Sequence, residues 1–146
     1  MTNIFLFDYE YRLRSWAELR KKLLDLDTAQ RCIEIDSFWQ RAPMIDHYLH
    51  PDLMDEWPDP WQLLNDNMYC EYARALGMIY TLILLGTKNI ELADVKDDNS
   101  NEVVVVLVDN AKYVLNYWPE TVVNNHITDF VIIRKHDITP LLSKIG

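Results

Sequence analysis

Glycine, cysteine and basic residues are scarce in this sequence, and each shortage removes a class of function. Three glycines in 146 residues leave no P-loop, no dinucleotide-binding glycine pattern and no nucleophile-elbow serine, so nothing cradles a phosphate. Two cysteines, Cys32 and Cys70, do not make a disulfide scaffold. With 14 Lys and Arg against 23 Asp and Glu, the net charge is −9, and the basic footprint that phosphate contacts require is missing. The longest apolar stretch, Leu76 to Leu85, is about half of what a membrane span needs. The start, Met1 to Tyr11, has no basic segment and carries Asp8 and Glu10, unlike a signal peptide. The expectation is a soluble, cytoplasmic protein with no cofactor, no nucleic acid and no membrane among its partners.

What is present reads as one domain over 1–146, with a helical N-terminal part (1–56) and a core (57–146). Ser15-Trp16-Ala17-Glu18 has the form of a capping box, followed by Leu19, Leu23 and Leu26 at helical spacing. Asp27 is placed to cap a second helix, which should stop near Arg41 because Ala42 precedes Pro43. Prolines and acids make 43–59 a loop, and Asp59-Pro60 restarts a helix as N-cap and N1. Met68–Leu85 is apolar nearly all round, as a buried central helix is, and Gly86 supplies its stop. Gly77 inside it implies close packing against a neighbour, since glycine there costs about 1 kcal/mol against alanine.

After Gly86 the pattern becomes that of strands. Ile90, Leu92 and Val95 open the first, 97–101 is a polar turn, and Val103–Val108 is a β-branched run suited to burial on both faces. Asp109-Asn110 turns that run into 112–115, and Phe130–Ile133 forms a fourth strand. Helices followed by an antiparallel sheet give an α+β fold, with the central helix packed on a small sheet.

Cys70 stands at the start of the central helix, where the helix dipole favours a thiolate. A reactive cysteine also needs a base, usually histidine, held by a third group. The plain alternative is a small buried residue, as free cysteine commonly is.

The surrounding residues are more specific. Trp57-Pro-Asp-Pro-Trp61-Gln-Leu-Leu64, then Tyr69-Cys70-Glu71-Tyr72-Ala73, then an apolar helix ending Leu85-Gly86, resembles the transglutaminase-like cysteine-protease superfamily. The similarity is nearest to the bacterial transglutaminase-like cysteine proteinases and runs from about 57 to 116. It implies a Cys-His-Asp triad, of which only Cys70 is kept. Glu102, or Asn101 with a shifted gap, stands in the His column, and Asn116 in the Asp column. Met68-Tyr69 replaces the family's Gly-Asp before the cysteine. An asparagine is tolerated as third member of some triads; a missing histidine is not, unless another supplies the base.

His126, beside Asn125 and three residues before Asp129, is the candidate replacement base. His47 and His50 lie in the acidic loop and read as solvated or capping groups, and His136 reads as surface. No zinc spacing surrounds them. Asp97-Asp98-Asn99-Ser100-Asn101-Glu102 begins like a calcium loop, but its sixth position is Glu102 rather than Gly and its twelfth is Val108 rather than Glu. Trp16, Trp39 and Trp61 are expected in the core. Tyr48, Trp57, Tyr117 and Trp118 sit in loops, where large side chains anchor a partner or else seal the core edge.

The expectation is therefore a transglutaminase-like protein that has lost catalysis and works as a structural or protein-interaction component, such as part of a phage particle. One alternative is an active cysteine hydrolase or transferase using Cys70 with His126. Another is an acidic inhibitor that mimics nucleic acid, with its acids gathered in 46–66 and 91–102.

Overall fold

The computed structural model describes residues 3–45, 48–118, 121–124 and 130–145, and of 118 and 121–124 only the backbone. A short 3₁₀ turn at Ile4–Leu6 leads into helix α1, Tyr9–Leu23. The helix starts six residues before the Ser15 box, because Asp8 caps it by accepting from the Tyr11 amide at 2.9 Å. The cap at Asp27 is as expected, and α2 runs Thr28–Trp39. The loop that follows contains a 3₁₀ segment, Pro51–Glu56, and Asp59 caps α3, Pro60–Asp66.

Helix α4, Glu71–Leu84, is the centre of the molecule. Every residue from Ala75 to Leu82 is buried, as its all-round apolar sequence implied. Gly77 lies under the Trp39 ring, where a Cβ would stand 2.5 Å from the nearest ring atom. Thr81, one turn on, accepts hydrogen bonds from the indole N–H of Trp16 at 2.9 Å and of Trp39 at 3.1 Å. Its own hydroxyl donates to the Gly77 carbonyl at 2.7 Å. Three helices are thus pinned at one buried hydroxyl, whose bonding capacity is filled. Gly86 ends α4 at φ +80.

The sheet has five antiparallel strands in the order β4-β3-β2-β1-β5. They are β1 (Ile90–Asp97), β2 (Glu102–Val108), β3 (Tyr113–Trp118), β4 (Thr121–Asn124) and β5 (Phe130–His136). The sequence reading missed β4, a four-residue edge strand, and the closing turn of helix α5, Thr139–Leu142. The 109–111 turn carries three successive residues at φ 57 to 65. Along β2, Val104, Val106 and Val108 face the helices, while Val105 and Leu107 join Ala93, Val95, Val114, Tyr117 and Phe130 in a second apolar cluster. That division explains why the β-branched run is continuous rather than alternating. The result is the α+β architecture that the sequence pattern implied.

Candidate functional site

Helix α3 ends at Asn67 in the left-handed region, φ 53, and the Asn67 amide donates to the Phe5 carbonyl at 3.0 Å. The reversed chain then runs extended through Tyr69, which is fully buried and makes a parallel bridge with Met44. The Ile45 amide donates to the Tyr69 carbonyl at 2.6 Å. Cys70 is the N-cap of α4 rather than a residue of its first turn, and its side chain makes no capping hydrogen bond. The residue is 6% exposed.

It lines a cleft of about 710 Å³ together with Met44, Tyr48, Leu49, His50 and Tyr72, among others. Tyr48 is half-buried and donates to Asp66 at 3.0 Å. Burial, followed by that hydrogen bond, pushes its phenol up to about 12. His50 faces the same cleft but is turned to local work: its Nδ1 accepts from the Asp52 amide at 3.1 Å, capping the 3₁₀ segment.

The two positions implied for the rest of a triad hold groups with other tasks. Glu102, in the His column, is exposed at the start of β2. With Glu71, Tyr72, Asp94, Val103 and Val104 it lines a second cavity of about 240 Å³. Asn116, in the Asp column, is buried and left-handed at φ 65, which ends the β2–β3 ladder after Leu115. Its side-chain amide fills the gap, donating to the Val104 carbonyl at 3.0 Å and the Glu71 carbonyl at 3.3 Å. Its backbone N–H donates to Asp36 Oδ1 at 2.8 Å, and its Oδ1 accepts from Gln40 at 3.4 Å. Gln40 in turn accepts from Arg74 at 2.9 Å. Asn116 thus ties β3 to α2, β2 and the first residue of α4.

Several expectations need correction. Trp57 is 3% exposed, its indole N–H donating to the His50 carbonyl at 2.9 Å and its ring lying against Tyr72. It seals the core edge and presents no anchor. Tyr117 is also buried, with its ring 5.2 Å from Phe130. Trp61, expected in the core, is 40% exposed. The side chain of Trp118, and all of His47 and His126, lie outside the described residues.

His136 is not a surface residue. Its side chain is buried, with Nε2 3.0 Å from Asp94 Oδ2, and the Tyr72 hydroxyl donates to Asp94 Oδ1 at 2.7 Å. This Tyr72–Asp94–His136 chain links α4, β1 and β5. Its only trace in the sequence is an aspartate on the helix-facing side of a strand. Among the described residues, no group of three or more His, Cys, Asp or Glu is placed to hold a metal ion, and no helix is long and apolar enough to cross a membrane.

No protein-family model and no curated protein matches the chain. Solved structures do. Calcium-bound LapG of Legionella pneumophila superposes with a TM-score of 0.72 over 90% of this chain and 77% of LapG, at 13% identity. The fold is transglutaminase-like. A second structure of LapG gives 0.69 over 88% and 76%, and an EGTA-treated one gives 0.67 over 89% and 74%, both at 13% identity. LapG is a bacterial transglutaminase-like cysteine protease. At this identity the likeness establishes the architecture alone.

Proposed function

We propose that this chain is a non-catalytic protein of transglutaminase-like fold that works through contact with other proteins, as a structural or accessory component of a larger assembly such as a phage particle. The observation that carries this reading is the use made of Asn116. A triad's third member must orient an imidazole. Asn116 instead spends its amide on two backbone carbonyls, and the residue that the family resemblance sets in the His column is Glu102, at the start of β2.

The rival reading, an active cysteine hydrolase, has one observation in its favour: Cys70 and His50 line the same cleft. A Cys70→Ala variant separates the two. On the proposed reading the variant captures the same partner proteins as the wild type, and neither generates cleavage products from them. A product made by the wild type and lost in Cys70→Ala overturns it.

A further inference from the structure

Strand β5 lies at one end of the sheet, paired with β1 on one side and, among the described residues, with nothing on the other. No backbone hydrogen bond beyond that pairing reaches Val131–His136 among the described residues. A row of peptide N–H and C=O groups therefore faces outward, as a template for one more strand.

Three consecutive residues on this strand are large, apolar and exposed: Val131 at 70%, Ile132 at 39% and Ile133 at 50%. Leu6 and Leu24 are exposed too, but they lie at helix ends, where no strand can add. The usual guards of an edge are turned away. Lys135 reaches back over β1 to Glu91 at 2.9 Å, and Arg134 is held at 2.7 Å by Asp52 of the 3₁₀ segment. No proline interrupts the strand. The register against β1 shifts between Ile132 and Arg134, so Phe130–Ile132 keeps a regular edge.

The apolar surface extends beyond the strand. The Arg134–Asp52 pair joins β5 to the Pro51–Glu56 segment. Helix α5 packs on that segment, and Lys144 donates to the Asp55 carbonyl at 2.8 Å. Leu53 and Leu142, both exposed, stand on these two elements. Aliphatic side chains grouped beside an open strand edge mark a contact surface.

Charge and geometry say what covers it. At a net charge of −9 the chain repels its own copies over most of its surface. Each cation of β5 is matched by a carboxylate of the same chain, so this edge presents no unbalanced charge to a second copy. Antiparallel pairing about a two-fold axis at Val131 sets Val131 against its counterpart and Phe130 against Ile132 of the second copy. Apolar meets apolar at each position, and Arg134 and Lys135 lie beyond the paired stretch.

We infer that β5 is a self-association edge: two copies of this chain pair their β5 strands antiparallel about Val131, and one sheet continues into the other. This goes beyond the proposed function and is independent of the chemistry of Cys70.

The test is sedimentation equilibrium of the full chain from about 1 μM to about 1 mM. A monomer–dimer equilibrium is expected, tighter at about 0.5 M than at about 0.05 M salt, because salt screens the repulsion between two acidic chains. Val131→Lys, at an exposed position, sets two cations against each other on the axis and should weaken the dimer about tenfold. Leu24→Lys should leave it unchanged. Facing Cβ atoms in such a pair lie about 4.5–5.5 Å apart, so Val131→Cys should cross-link two chains under mild oxidation and Leu24→Cys should not. The native Cys32 and Cys70 are buried.

A chain that stays monomeric to about 1 mM at both salt concentrations overturns the inference. So does a dimer that Val131→Lys leaves intact, or that Leu24→Cys cross-links as readily as Val131→Cys, since that dimer uses another surface. A chain monomeric alone, whose β5 amides gain protection from exchange only when a different protein is added, assigns the edge to that protein and likewise overturns self-association. None of these outcomes alters the reading of Cys70.

Discussion

The Asn116 side-chain amide donates to the Val104 carbonyl at 3.0 Å, closing the gap where the pairing of β2 with β3 ends. The bond exists because φ of 65 at Asn116 turns the β3 backbone away from β2, leaving a carbonyl that must find a donor.

Replacing Asn116 by Asp, the residue that the family resemblance implies, should therefore harm the protein rather than restore a site. The aspartate loses both donated hydrogen bonds, faces two carbonyls, and adds a negative charge beside Asp36, which accepts from the same residue's N–H. A loss of about 2–4 kcal/mol is expected in urea unfolding. Unchanged stability would contradict the role given to this network.

Gly77→Ala sets helix propensity against packing. Propensity alone favours alanine by about 1 kcal/mol. The added Cβ meets the Trp39 ring at 2.5 Å, and Trp39 is itself closed in by Phe5, Trp16, Phe38 and Tyr69. Overpacking of this kind costs about 1–3 kcal/mol. A net loss in unfolding free energy, with altered tryptophan fluorescence, is the expected outcome.

Thr81→Val keeps the shape and removes the hydroxyl. Two buried indole N–H groups then lose their acceptor, each worth about 1–3 kcal/mol when left unsatisfied. Thr81→Ser, which keeps the oxygen, should cost much less. Equal effects of the two variants would show that the methyl group, not the hydroxyl, matters here.

The alkaline side of the stability profile should be steep. Burial, followed by the charges of Asp36 and Asp109, pushes the Cys32 thiol from 9.0 to about 12, and burial likewise raises the phenols of Tyr69, Tyr72 and Tyr80. The folded chain then keeps protons that the unfolded chain releases. Stability is full below about pH 9 and falls as pH rises toward 12, by about 1.4 kcal/mol per pH unit for Cys32 alone. Urea unfolding at rising pH measures it, and Cys32→Ala should flatten the first part of the decline.

Features with local causes were legible in the sequence. Asp27 and Asp59 cap helices through their own third-neighbour amides, Gly86 stops α4, and the β-branched run lies where it was expected. Asp8 was missed because the Ser15-x-x-Glu18 pattern imitates a cap from inside a helix. Contacts between distant residues were not legible. Trp57 is buried by the carbonyl of His50 and the ring of Tyr72, and His136 by Asp94, forty-two positions away. At the site, the spacing from Cys70 drew attention to Glu102 and Asn116, which the family resemblance sets in the His and Asp columns. What Asn116 does there depends on its backbone angle and on Val104, which no spacing encodes.

The central claim, that Cys70 no longer serves as a nucleophile, is tested most directly by the rate at which iodoacetamide alkylates Cys70 in the folded chain, followed by mass spectrometry from about pH 5 to 9. With Cys70 at 6% exposure, the account predicts a rate at or below that of an ordinary free thiol, rising with pH and unaffected by His50→Ala or His126→Ala. A fast reaction already at about pH 6, slowed by either histidine substitution, would contradict the account.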